Sequence, residues 1–145
     1  MKYVEIDERS GAVSWDEYFA YLRSAQSRFP PSLYSYAANW DHYSLDGNNS
    51  LHDAWLLGIQ FAYRENELTL ELLGARHDRK HAFRYVGTKG YAVNISVEYR
   101  GGDRDVLAHE FRIENELVVH EIVFHNSRSM LITCQDVFPR TEMLS

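Results

Sequence analysis

The chain has 145 residues, of which 45% are hydrophobic and 25% are charged. This size and balance are typical of one globular domain with an ordinary core. A net charge of −6 disfavours non-specific binding to nucleic acids. The lone Cys134 excludes an internal disulfide, and neither a signal peptide nor a membrane-spanning run is recognisable. We therefore expect one cytoplasmic domain over residues 1–145, with no nucleic-acid and no membrane partner.

The N-terminal third predicts a short strand at residues 3–6 and then helices. Ser14 and Glu17 have the spacing of a capping box. The apolar residues that follow recur at steps of three and four: Trp15, Tyr18, Phe19, Leu22, Ala25 and Phe29. This spacing predicts an amphipathic helix that ends at Pro30-Pro31, and a shorter helix is expected at residues 33–40.

From residue 51 the hydrophobic period changes to two, which predicts strands. The first two strands form a hairpin if Glu65-Asn66 is a two-residue turn. The facing pairs are then Tyr63–Leu68, Phe61–Leu70 and Ile59–Leu72. Both apolar stripes then lie on one face of this hairpin. This fixes the register, because a shift of one residue would turn one stripe toward solvent.

Further strands are predicted at residues 82–86, 91–99, 106–113, 117–124 and 130–137. A loop is predicted at Gly101-Gly102-Asp103, and the last turn at Asn126-Ser127-Arg128. A helical start followed by short strands on tight turns is typical of an α+β fold. We expect N-terminal helices packed on an antiparallel β-meander of about six strands.

Two similar tetrapeptides lie in neighbouring predicted strands: Ala108-His109-Glu110-Phe111 and Val119-His120-Glu121-Ile122. Their geometry depends on the turn between them. A two-residue turn at Glu114-Asn115 places His109 opposite His120 on an apolar face. A three-residue turn that adds Glu116 instead pairs each histidine with a glutamate.

Three interpretations of these His-Glu pairs remain open. Two imidazoles, joined by His52 or His125, could hold zinc or a similar cation. A carboxylate that orients a histidine could serve acid–base chemistry. The plainest interpretation is that the histidines are half-buried strand residues, stabilised by their cross-strand neighbours.

Other residues are weaker candidates for a binding site. His52 and Asp53 precede the first long strand, where loop residues often act. Tyr36 and Trp40 belong to an aromatic run that could form a contact patch. His77 and His81 have ligand spacing only on a helix, and Cys134 is expected to be a small buried residue. No catalytic residue, resident metal or cofactor is assigned.

Several segments resemble a group of small uncharacterised bacterial α+β proteins, some of which are filed as immunity proteins against polymorphic toxins. The similar segments are Leu51-His52-Asp53, Phe83-Arg84-Tyr85-Val86-Gly87, residues 105–110 and residues 117–124. The similarity covers about residues 51–138 and consists of strand patterns. It implies a non-catalytic protein that binds a partner, and it supplies no catalytic residues.

The sequence therefore predicts a protein-binding module. Its expected partner is another protein, such as a toxin. Two alternatives are a small metal- or ligand-binding enzyme that uses the His-Glu strands, and a structural homodimer joined through an exposed edge strand or the tyrosine patch.

Overall fold

The computed structural model describes residues 1–95 and 105–145, apart from the side chain of Asn126. The helices are α1 (Asp16–Ala25) and α2 (Pro31–Ala37), with short 3₁₀ turns at Gln26–Arg28, Trp40–His42 and His125–Ser127. The strands are β1 (Glu5–Ile6), β2 (Val13–Ser14), β3 (Trp55–Ala62), β4 (Glu67–Leu73), β5 (Arg79–Val86), β6 (Gly90–Asn94), β7 (Val106–Glu114), β8 (Leu117–Phe124), β9 (Ser129–Cys134) and β10 (Asp136–Met143). The end of the strand predicted at 91–99 and the loop predicted at 101–103 lie outside the described residues.

Both predicted helices are present, but their ends differ from the predictions. Ser14 belongs to β2, and the residue before the helix is Trp15, which makes no side-chain capping hydrogen bond. The predicted capping box is therefore wrong. Pro31 begins α2, because a proline at the first helical position has no amide proton to leave unpaired. In the described part of the chain, no helix is long and apolar enough to span a membrane.

The strands form antiparallel sheets: a β1–β2 pair and two four-stranded sheets with the orders β10-β5-β4-β3 and β6-β9-β8-β7. The α+β class is confirmed in its broad form, whereas the single six-stranded meander is wrong. The predicted strand at 130–137 is in fact two strands that break at Gln135, whose amide donates to the Val86 carbonyl. The chain leaves one sheet there and enters the other as β10.

The structure confirms the β3–β4 hairpin and corrects its register. Phe61 pairs with Leu68 and Ile59 with Leu70, and Ala62 pairs with Glu67. The turn is thus longer than two residues, and the strands are displaced by two positions from the prediction. Because the displacement is even, both apolar stripes still lie on one side. A bulge between Leu56 and Gly58 shifts the register at the start of β3.

The β7–β8 hairpin has neither predicted register. Its turn is Asn115-Glu116, with φ values of 51° and 64°, and Glu114 pairs with Leu117. Two successive positive φ angles are the signature of a type I′ hairpin turn, which matches the twist of the strands. Glu110 therefore pairs directly with Glu121.

The two four-stranded sheets face each other across a core of aromatic and aliphatic side chains. Phe83 of β5 packs against Phe111 of β7, with ring centroids 6.4 Å apart. The helical segment closes the edge of β7, where the hydroxyls of Tyr18 and Tyr21 accept hydrogen bonds from the amides of Phe111 and Ile113. These two amides would otherwise be unpaired on an edge strand.

Candidate functional site

His109 and His120 lie inside the core, on the face that looks toward the other sheet. They are diagonal neighbours, because His109 pairs with Ile122 and His120 with Phe111. Nδ1 of His109 is 3.1 Å from Nε2 of His120, and Nδ1 of His120 is 2.7 Å from the Tyr85 hydroxyl. A short hydrogen-bonded chain thus joins the two sheets.

Burial determines the protonation of this chain. It lowers the pKa of His109 to about 3, although the nearby backbone of His42 favours the protonated form. Burial, and then the neighbouring His109, hold the pKa of His120 well below its ordinary value. Burial also raises the pKa of Tyr85, which therefore keeps its proton. The backbone of His42 beside His109 favours a proton on Nε2 of His109, and we assign the chain accordingly: Tyr85 donates to His120 and His120 donates to His109.

Nε2 of His109 then carries a proton but has no hydrogen-bond partner of good geometry in the described part of the chain. Both rings pack against aromatic side chains: His120 stacks on Phe111 at 3.9 Å and His109 on Tyr43 at 4.9 Å. We interpret both histidines as packing residues, since neither ring is exposed to solvent.

Glu110 and Glu121 lie on the opposite face of the same strands, so the structure does not bring the histidines and glutamates together. Nη1 of Arg112 bridges the two carboxylates, 3.0 Å from Glu110 and 2.6 Å from Glu121. This guanidinium offsets the repulsion between like charges that face each other across a ladder.

The two glutamates also fasten the N-terminal segment. The Glu110 carboxylate accepts hydrogen bonds from the amides of residues 2–4, at 2.9 Å from Val4. The amino group of Met1 lies 2.7 Å from Glu121. Burial alone would raise the pKa of Glu121, but this amino group and Arg112 outweigh it, so the pKa is lowered. The role of the two glutamates is therefore to hold residues 1–4, directly before β1.

Tyr36 and Trp40 do not form a shared contact patch. The Tyr36 ring meets Phe83 and Phe111 edge-on, and its hydroxyl is buried. Trp40 is 51% exposed and packs against Phe19. Tyr36 is thus partly buried with its hydroxyl inside the core, whereas Trp40 is exposed at the surface.

His52 and Asp53 lie together at the surface, and a third residue joins them. Nδ1 of His52 is 3.2 Å from one oxygen of Asp53, and Nε2 of His125 is 3.2 Å from the other. His125 is 72 residues away in sequence, at the end of β8. Sequence reasoning named it only as a possible companion, because the pairing of residues 53–55 with residues 105–106 creates this proximity.

The remaining titratable candidates are separate from one another. His77 lies against Trp55 in the β4–β5 turn, whereas His81 is buried beside Thr141. Burial lowers the pKa of His81 to about 4. Cys134 is buried as expected, and burial raises the pKa of its thiol to about 12, so it is a poor nucleophile.

An apolar surface lies where β3 and β6 end the two sheets, and we call it the open edge. Its side chains and their exposed fractions are Ile59 36%, Phe61 38%, Tyr63 82%, Tyr91 56% and Val93 39%. The Phe61 and Tyr91 rings meet at 5.8 Å, so the strands of the two sheets contact each other here. Alternation in the sequence indicated a core-facing stripe in β3, but it could not show that β3 lies at an edge.

Comparisons with known proteins identify a structural similarity but assign no function. No family model matches the sequence, and no curated protein matches it. The crystal structure of an uncharacterised protein from Neisseria gonorrhoeae is similar over 61% of this chain and 91% of its own, with a TM-score of 0.50 and 12% identity. This similarity shows a related fold over that part of the chain.

Proposed function

We propose that the protein is a binding module that takes an extended segment of a partner protein at the open edge. The observation that carries this proposal is the continuity of the buried faces with the exposed surface. Ile59 and Phe61 pair with the buried Leu70 and Leu68. The core-facing stripe of one sheet thus continues to the surface without a polar border.

The core-facing apolar stripe of the second sheet also continues to the surface. Tyr91 and Val93 of β6 pair with the buried Ile132 and Met130 of β9. Both inner faces therefore end in exposed apolar side chains that meet at the Phe61–Tyr91 contact. Contiguous exposed apolar surface of this kind commonly marks a protein–protein contact.

The chemistry of the surface suggests what the partner presents. In the described part of the chain, β3 between Gly58 and Ala62 and β6 have no further strand beside them. A partner strand could add its backbone to one edge and place alternate apolar side chains against Phe61 and Tyr91. The net charge of −6 favours basic residues flanking that segment.

The family resemblance supports a toxin as the partner, which makes the protein an immunity-type binder. The test is co-purification of the untagged protein with the product of the adjacent gene, followed by calorimetry. We expect a 1:1 complex with nanomolar affinity. A neighbouring product that folds but shows no interaction would remove the toxin proposal while leaving the open edge to be tested separately.

The open edge is tested with the double variant Phe61→Thr and Tyr91→Thr, which keeps residues of good strand propensity. Peptides selected from a random extended library, or the partner if it is found, should bind this variant at least about thirtyfold more weakly, because truncated aromatic anchors cost about 2 kcal/mol. The control is Leu45→Thr, an exposed apolar residue in a loop. Equal binding by the wild type and the double variant would contradict the proposal.

A homodimer is the second occupant that this surface could accept, because exposed edge strands also pair with copies of themselves. Light scattering over a range of concentrations distinguishes the two cases. A wild-type dimer that the double variant converts to a monomer would favour self-association. A monomeric wild type that binds the selected peptides would favour the partner.

A further inference from the structure

We propose that His52, Asp53 and His125 bind one divalent transition-metal ion of the zinc class. The three residues supply two imidazole nitrogens and one carboxylate, and their ligand atoms lie within 4.8 Å of one another. Zinc prefers this mixture of nitrogen and oxygen ligands, and three protein ligands with an open fourth position are common for it.

The distances fit a small tetrahedral ion. Zinc bonds of about 2.0–2.1 Å place neighbouring ligand atoms roughly 3.3 Å apart in a tetrahedron. Each imidazole nitrogen is 3.2 Å from an Asp53 oxygen. The two distances run to different oxygens of Asp53, so the ligand atoms, which lie within 4.8 Å of one another, have to move closer around one ion. Both rings are partly exposed, so a rotation about the side-chain bonds is possible.

Backbone hydrogen bonds from the surrounding elements position the three ligands. The amide of Asp53 donates to the Val106 carbonyl, and the amide of His125 donates to the Asp105 carbonyl. Asp53 has φ = 61°, a left-handed conformation that aspartate and asparagine adopt more readily than most residues. The amide of His52 donates to the Ser50 hydroxyl.

The charge around the cluster also suits a cation. In the described residues, the ion-pair partners of Asp53 are the two imidazoles, so no lysine or arginine neutralises its carboxylate. An imidazole binds a metal only through an unprotonated nitrogen, so acid should weaken metal binding at this cluster. Two surface hollows adjoin the cluster: His52 lines one of about 120 Å³ and His125 lines one of about 630 Å³.

The test measures zinc and cobalt binding by calorimetry to protein prepared without an affinity tag. We expect one ion per chain at pH 7.5, with the absorption bands of tetrahedral cobalt. Changes to residues that merely support a ligand weaken metal binding by about 10–100-fold, so loss of a ligand should weaken it at least about 100-fold. The variants are Asp53→Asn, which keeps the left-handed backbone, and His125→Asn.

The matched control is His77→Asn, which makes the same change at a histidine outside the cluster. It should bind zinc like the wild type. Zinc should also raise the melting temperature of the wild type and of His77→Asn, but not that of Asp53→Asn. Three results would overturn the proposal: no binding by the wild type, equal binding by all variants, or one ion per two chains. The first of these would mean that the cluster consists of two ordinary His–Asp hydrogen bonds.

Discussion

At the scale of single residues, the two histidines show how burial changes the meaning of a motif. A histidine in an apolar strand can be a ligand, a base or a packing residue. His109 and His120 are packing residues because Tyr43 covers the His109 ring, and Phe83 and Tyr85 of the opposite sheet cover the His120 ring. Tyr85 also forms the hydrogen bond that begins their chain. The protonation of these two histidines therefore affects the stability of the fold, which is greatest when both are neutral.

This dependence gives a prediction about pH. In the folded protein the pKa of His109 is lowered to about 3, and that of His120 is held well below its ordinary value. In the unfolded chain both have a pKa of about 6.5. The unfolded state therefore binds more protons below that pH, so the stability present above pH 7 is lost as pH falls. Each histidine should remove about 2 kcal/mol from the free energy of unfolding between pH 7 and pH 5.

Urea unfolding at pH 7.5, 6 and 5 measures this effect. A His109→Gln variant should be less stable at pH 7.5 but should lose less stability between pH 7.5 and pH 5 than the wild type, because one titrating group is gone. A free energy of unfolding that is flat across this range would contradict the prediction, because it would mean that the folded and unfolded states bind equal numbers of protons.

At the scale of elements, β7 and β8 have two faces with different roles. One carries the histidines and the other carries Glu110, Glu121 and Arg112, which hold the N-terminal segment. The turn at Asn115-Glu116 decides this division, because a shift of one residue would exchange the faces.

The N-terminal attachment is tested by Glu110→Gln. The buried Glu110 carboxylate accepts hydrogen bonds from the amides of residues 2–4 and from Arg112, so a glutamine would lose the negative charge and place an amide donor among these donors. We expect a loss of about 3 kcal/mol in the free energy of unfolding. Unfolding in guanidinium chloride measures this change in the free energy of unfolding.

The control is Glu114→Gln, which removes a half-exposed partner of the same guanidinium, 2.8 Å from its Nε. It should cost less than about 1 kcal/mol, because exposed ion pairs contribute little. Equal losses for the two variants would show that Arg112, and not the buried attachment of the N-terminal segment, accounts for the effect.

At the scale of the whole molecule, the two four-stranded sheets pack through apolar side chains, and a buried contact between polar side chains also joins them. This contact is the 2.7 Å hydrogen bond between the Tyr85 hydroxyl on β5 and His120 on β8. Because its partners belong to different sheets, it fixes how the sheets lie on each other as well as contributing energy.

Tyr85→Phe tests this link. It removes the hydroxyl and leaves Nδ1 of His120 buried without a donor, which should cost about 1–3 kcal/mol. For a chain of this length, the melting temperature should fall by roughly 2–4 °C for each kcal/mol. The exposed Tyr63→Phe is the matched control and should melt like the wild type. A Tyr85→Phe variant as stable as the wild type would mean that His120 finds another partner.

The sequence by itself determined the secondary structure of most of the chain. The period of two, the turn residues and the proline pair locate the helices and nearly all the strands, because these signals depend on neighbouring residues. The same local signals placed His52 and Asp53 in the loop before the first long strand. They also predicted Cys134 to be buried.

Only the tertiary structure decided which strands share a sheet, because strand order depends on contacts between residues far apart in the chain. It separated β9 from β10 at Gln135 and set the register of both hairpins. It also brought His125 to Asp53 and left Phe61 and Tyr91 at the surface. The candidate sites therefore arise from the packing of the two sheets, since no local pattern encodes which strand becomes an edge.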